Sequence, residues 1–210
     1  MPLKGIVFDL DGTLIDSISI WIDSWEYAFS QMGYKVPRSR IAKYIGPQDY
    51  TVLNCIGNVP RKVSDELWRF GDEYIDKNVR RVRFKRGARA VLAYAKKRGL
   101  KVAIATSSDR KWRQVVDRGL HIEDYCDYFV TTEDVKEQKP STESFEKAFR
   151  HIGVDPHDGM VVGDSKLDML PGRKLGAVTV MLDESGAGDG NADFVVRSLV
   201  KLKGIIAEML

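Results

Sequence analysis

The feature that most constrains this chain is the placement of its short apolar runs. They fall at 6–10, 102–106, 128–132, 160–164 and 178–182, and helical patterns alternate with them. Runs of this kind suit strands buried on both faces, so the alternation predicts an α/β chain whose parallel sheet is covered by helices on both sides. The first interval is too long for a single crossover. Between Ser17 and about Lys85 the pattern is helical instead: Ile18, Trp21, Ile22, Trp25, Ala28, Phe29 and Met32 recur at steps of three and four, and Gly33 can close that helix. Shorter stripes follow at 41–45, 52–56 and 67–79, with Gly46-Pro47 and Asn58-Val59-Pro60 as breaks. The expected organisation is an α/β core at 1–16 and 87–210, interrupted by a small α-helical cap domain at 17–86. Gly87 at the second junction can absorb a hinge rotation. The aromatic residues of the cap lie on its periodic stripe, which reads as packing.

The first strand empties into Phe8-Asp9-Leu10-Asp11-Gly12-Thr13. Along an extended strand Asp9 and Asp11 share one face, where they repel each other unless a cation or a shared proton offsets the charge. Two oxygen donors beside a loop suit Mg2+, which keeps several waters and completes its shell with phosphate. Taken alone, the pair also fits turn aspartates that end a strand.

Three further segments bear on that choice. Lys101 to Ala105 is an apolar strand ending in Thr106-Ser107-Ser108. Lys139-Pro140 precedes a helix carrying Phe145, Ala148 and Phe149, which Ser141 can cap. Met160-Val161-Val162-Gly163 runs into Asp164-Ser165-Lys166-Leu167-Asp168. Ligands bind at the carboxyl ends of parallel strands, and Asp9, Thr106, Lys139 and Asp164 all fall there.

In these segments the chain resembles the haloacid dehalogenase superfamily. That family's motifs are Asp-x-Asp-Gly-Thr/Val, a strand-terminal Thr/Ser, a Lys, and Gly-Asp-x-x-x-Asp. The resemblance extends over essentially the whole chain and implies a Rossmann-like three-layer α/β/α core. It also implies that Asp9 attacks phosphorus to give an aspartyl-phosphate, while Asp11 protonates the leaving oxygen and then activates water. Thr106 and the Ser107 backbone N–H would hold phosphoryl oxygens, and Lys139 would offset their charge. The metal residues implied are Asp9, Asp11, Asp164 and Asp168, with Asp168 in the first or second shell and the backbone carbonyl of Asp11 as a further ligand. Ser107, Ser108 and Asp109 are explained equally well by a helix N-cap.

Within that superfamily the acid at Asp11 argues against dehalogenation and phosphonate cleavage, whose leaving groups need no proton. The expected activity is a Mg2+-dependent phosphomonoester hydrolase resembling phosphoglycolate phosphatase, acting on a small phosphorylated metabolite. A sugar phosphomutase of the β-phosphoglucomutase type is the nearest alternative. That branch carries a cap histidine twelve residues after its nucleophile, where this chain has Trp21. A catalytically retired binding or regulatory protein is the second alternative.

Charge is uneven along the chain. Residues 34–89 hold 14 Lys plus Arg against 6 Asp plus Glu within an overall +3, so the middle is basic. Such a segment raises the local concentration of anions, although the run from Arg80 to Arg86 also reads as a solvated face or a nucleic-acid patch. No recognisable nucleic-acid module surrounds it, so no nucleic-acid partner is expected. Arg40, Lys43, Gln48 and Arg61 are cap residues that spacing does not place. Cys55 and Cys126 are too few for a disulfide framework and lie near no metal-spaced ligand, and His121, His151 and His157 lie away from the motifs. No stretch is apolar enough to span a membrane, and Met1-Pro2-Leu3-Lys4 runs into the first strand without a signal peptide, so a cytoplasmic monomer or homodimer is expected. The glycine-rich stretch at 184–190 reads as a surface loop.

Overall fold

The computed structural model describes residues 2–44, 53, 57, 59–185 and 192–210. The breaks expected at Gly46-Pro47 and Asn58, the 52–56 stripe apart from Leu53, Gln48, Cys55 and the loop over 186–190 lie outside them. The chain divides into two compact units, one formed by Met1–Asp16 with Phe84–Leu210 and the other by Ser17–Arg83.

The larger unit is built on a parallel sheet of β1 (Gly5–Phe8), β4 (Lys101–Ala105), β5 (Tyr128–Val130), β6 (Gly159–Gly163), β7 (Val178–Leu182) and β8 (Phe194–Val196). Two-residue strands β2 (Ile15–Asp16) and β3 (Arg83–Phe84) mark the ends of the inserted unit. The order is β5-β4-β1-β6-β7-β8, which puts β1 in the middle. Phe8 pairs with Ile104 on one side and Val162 on the other, so the residues that follow each strand end emerge beside one another. β8 was not expected: it is three residues long, at the sheet edge, with Phe194 and Val195 exposed.

Successive strand residues face opposite sides. Val7, Ala103 and Val161 pack on Phe145, Ala148 and Phe149 of α6 (Glu143–Ile152) and on Met169 of α7 (Lys166–Lys174). Ile6, Phe8, Val102 and Ile104 are turned to the other side and are fully buried there. α4 (Ala88–Lys97) packs against β4 and against α8 (Leu199–Met209). Each fully buried Val, Ile, Phe or Met among these contributes about 1.5–3 kcal/mol. Gly87 belongs to this unit. Its φ of 93° and the 2.6 Å that would separate a Cβ from the Val200 amide both require glycine.

α6 begins one residue later than a Ser141 cap implies. Thr142 stands at the cap position, and Ser141 Oγ receives only a long 3.4 Å bond from the Glu143 amide.

The smaller unit contains α1 (Ile18–Gln31), α2 (Arg38–Lys43) and α3 (Ser64–Asn78). Trp25, Ala28, Phe29, Ile41, Leu53, Val59 and Leu67 form its core, with Trp25 edge-on to Trp68 at 4.5 Å. Those aromatics fill space, as their stripe predicted. Asp23 is clasped by Arg38 at 2.5 Å and Arg81 at 2.6 Å. Partial burial opposes its charge, but the two guanidinium groups hold its carboxyl below the ordinary value. Part of the basic character of the middle is therefore used in bracing this unit. Among the described residues no helix is long and apolar enough to cross a membrane.

Candidate active site

Asp9 follows β1 directly, its amide held by the Val162 carbonyl at 2.8 Å. The chain then turns sharply: Gly12 takes φ 86°, and the amides of Leu14 and Ile15 both return to the Leu10 carbonyl. β4 ends beside β1, where the Thr106 amide donates to the Val130 carbonyl at 3.0 Å. β6 ends on the other side at Gly163, which is followed by Asp164. Three strand ends and the Lys139 loop thus converge.

Lys139 lies at the centre, buried. Its ammonium donates to Asp9 Oδ1 at 2.7 Å, Asp168 Oδ1 at 2.6 Å and the Ala105 carbonyl at 2.8 Å. Those three bonds use the three hydrogens of the group. Burial works against its charge, yet Asp168 and Asp9 outweigh burial and its pKa is raised.

Asp168 reaches this point from the first turn of α7. Its other oxygen accepts from Ser165 Oγ at 2.7 Å in a capping box. Gly163 makes room for it, since a Cβ there would lie 2.5 Å from the Asp168 carboxyl carbon. Thr13 Oγ1 lies 3.5 Å from Asp164 Oδ1.

Asp9, Asp164 and Asp168 each bring one oxygen within 4.8 Å of the others, and Asp11 is outside that group. Three carboxylates against one ammonium leave two negative charges unmatched, with Asp9 and Asp168 buried and Asp164 half-buried. Burial, and then repulsion from Asp168 and Asp164, raises the Asp9 carboxyl well above its ordinary value despite Lys139. Burial and Asp168 push Asp164 up to about 7. An all-oxygen donor set with that charge deficit fits a hard divalent cation such as Mg2+.

Asp11 takes a different direction. Its Oδ1 accepts from the indole Nε1 of Trp112 at 2.8 Å, and its Oδ2 accepts from Ser108 Oγ at 2.8 Å and Thr106 Oγ1 at 3.2 Å. The Ser108 amide in turn donates to Thr106 Oγ1 at 3.0 Å. Trp112 stands in the first turn of α5 (Arg110–Leu120), which Asp109 caps by accepting from the Trp112 amide at 2.7 Å. Of the alternatives open for the hydroxyl loop, Asp109 is therefore the cap, while Ser108 faces the site and Ser107 is half-buried between Thr106 and Ser108. The role of Trp112 was not read from the sequence. Its position in the first turn after a motif strand is the signal that could have marked it.

The remaining polar candidates lie elsewhere in the larger unit. Burial pushes the Cys126 thiol up to about 12, which suits an inert side chain. His151 stacks on Tyr128 at 3.8 Å, and His157 bonds to Asp155 at 3.0 Å.

A parallel sheet with an acid cluster, a buried lysine and a hydroxyl at its strand ends defines an α/β protein with a candidate active site at the carboxyl edge of its sheet. The chain belongs to the haloacid dehalogenase-like hydrolase family, which matches residues 6–182. It is 27% identical to pyrophosphatase PpaX of Bacillus cereus over 218 residues, covering 100% of this chain and 99% of that protein. Its structure is similar to that of a hydrolase from Pseudomonas syringae, with a TM-score of 0.85, 25% identity and coverage of 98% and 99% of the two chains. A predicted phosphoglycolate phosphatase from Haemophilus somnus has the same fold, with a TM-score of 0.85, 19% identity and 97% of each chain covered.

Proposed function

We propose that this hydrolase is a Mg2+-dependent phosphatase that transfers the phosphoryl group of a small metabolite to Asp9 and then to water. The observation that carries the reading is the buried Asp9, held by Lys139 at 2.7 Å and flanked by the acidic cluster. A nucleophile must be fixed and ionised, and an ammonium together with a divalent cation provides both conditions. Asp9, Asp164 and Asp168 would hold the Mg2+, which when bound neutralises charge on the carboxylates and on the phosphoryl oxygens.

In the first step an Asp9 oxygen attacks phosphorus as the ester P–O bond breaks, and the Asp11 carboxyl gives its proton to the leaving oxygen. In the second step water attacks the aspartyl-phosphate and its proton goes to Asp11, which frees inorganic phosphate and restores both side chains. Thr106 and the Ser107 amide are assigned to the phosphoryl oxygens. Lys139 acts on them through its charge, since its hydrogens are already used. The inserted unit, placed in the chain between the nucleophile and the hydroxyl loop, is assigned the choice of substrate.

The likeness to proteins named pyrophosphatase favours a second reading, in which the leaving group is phosphate itself. A phosphate-release screen over phosphorylated metabolites and pyrophosphate, with Mg2+ and with EDTA, tests both. Mg2+-dependent release that disappears in Asp9→Asn is expected. Release that persists undiminished in Asp9→Asn would reject the covalent route, and no release from any compound would reject the activity.

A further inference from the structure

Asp11 is bound on its two sides by donors of different kinds. Oδ2 meets the hydroxyls of Ser108 and Thr106, which rotate and can accept as well as donate. Oδ1 meets the indole N–H of Trp112, a donor with no acceptor capacity. That indole is also fixed in place: Trp112 is 2% exposed, and its amide is tied to Asp109 at 2.7 Å.

We propose that Trp112 is a positioning residue that holds the Asp11 carboxyl by Oδ1 and leaves Oδ2 as the oxygen that acts on the ester. The inference rests on the reading of Asp11 as the general acid. An oxygen facing a fixed N–H across 2.8 Å is pinned in place, whereas Oδ2 meets only hydroxyls that can rotate, so Oδ2 is the oxygen left able to turn to a substrate. Ser108 Oγ can accept from a protonated Oδ2 and so keep it directed.

Thr106 completes the arrangement. Its oxygen already accepts from the Ser108 amide, so its hydrogen is the one that reaches Asp11. On the proposed function this same hydrogen turns to a phosphoryl oxygen when substrate arrives. The Oδ2 side is thereby released toward the reacting ester, while Trp112 keeps Oδ1 anchored. As the P–O bond breaks, the Oδ2–H bond breaks with it and the proton passes to the leaving oxygen. Asp11 is left as a carboxylate that recovers a proton from the attacking water in the second step.

Trp112→Phe tests this, because it removes the N–H and keeps an aromatic ring in the space. An alkyl phosphate needs its leaving oxygen protonated, and p-nitrophenyl phosphate needs this far less. The expected result is a fall in kcat of roughly tenfold for the alkyl ester, about twofold or less for the nitrophenyl ester, and KM changed by about twofold or less for both. Equal losses for the two esters, or no loss for either, would overturn the proposal.

A second measurement is independent of turnover. The Trp112 indole resonance in a 1H–15N spectrum, assigned through its own residue, should move upfield in Asp11→Ala while those of Trp21, Trp25 and Trp68 stay in place. An unmoved resonance would overturn the contact. Failure of the wild-type protein to release phosphate would reject the phosphatase reading, and the spectrum would then still decide for or against the contact.

Discussion

The Nζ of Lys139 lies 2.6 Å from Oδ1 of Asp168, and the two side chains are only 3% and 2% exposed. A buried ion pair is favourable only when its remaining donors and acceptors are met. Here they are met by Asp9, the Ala105 carbonyl and Ser165. The same contacts that stabilise the larger unit therefore hold Asp9 in its place.

Replacing Lys139 by Met should expose what that pair offsets. Removing one partner of a buried pair costs about 3–5 kcal/mol, because the other charge is left uncompensated. Urea unfolding at pH 8 in EDTA should show a loss of that order, together with loss of phosphate release. A change in stability below about 1 kcal/mol would mean that the carboxylates have another source of compensation.

Gly163→Ala concerns the same pair from the backbone side. The new methyl would sit 2.4 Å from the Cβ of Asp168, so α7 or the Asp168 side chain must move. Forced overpacking costs about 1–3 kcal/mol, and here it also displaces the Asp168 oxygen from Lys139. Thermal unfolding and turnover should both fall. A variant with wild-type turnover would show that the position of Asp168 is not critical.

How far the sequence reveals this arrangement depends on the scale of the contact. The central strands were legible because they are apolar throughout, and the positions of Asp9, Thr106, Lys139 and Asp164 followed from strand ends and motif order. β8 was not legible, since a three-residue strand at a sheet edge with two exposed residues carries no periodic signal. The Trp112–Asp11 bond was not legible either. It depends on the rotation of α5 about its axis, which spacing does not specify, and a tryptophan in a first helical turn reads as packing. Ser141 reads as a cap because a serine after a proline is a common start signal, whereas the cap position falls one residue later, at Thr142.

The raised carboxyl of Asp164 gives a pH signature. Its ordinary value is 3.8 and its value in the fold is about 7. Between these limits the folded chain keeps a proton that the unfolded chain has released, so this group's contribution to stability falls as pH rises through that window. The slope reaches at most about 1.4 kcal/mol per pH unit for one group. In EDTA, wild-type Tm should therefore fall relative to Asp164→Asn between pH 5 and pH 8. Metal binding needs the ionised carboxylates, so Mg2+ should raise Tm more at pH 8 than at pH 5. An equal Mg2+ effect at both pH values would contradict the assignment of Asp164 as a ligand.

Hydrolase and mutase differ in what receives the phosphoryl group from Asp9. A mutase must return it to a sugar hydroxyl and keep water out. In the β-phosphoglucomutase branch this chain resembles, a histidine stands twelve residues after the nucleophile. Here the position is Trp21, buried in α1, and an indole can neither accept a proton from a hydroxyl nor donate one to an alkoxide at neutral pH. On the proposed function water is the acceptor and Asp11 activates it. Incubation with β-glucose 1-phosphate and catalytic β-glucose 1,6-bisphosphate, followed by phosphorus NMR, should show no rapid formation of glucose 6-phosphate. With a true substrate, inorganic phosphate should appear in step with substrate loss and without any bisphosphate activator. Trp21→His tests the converse: a gain of isomerisation would show that the cap base is the missing element, and efficient isomerisation by the wild-type protein would overturn the hydrolase assignment.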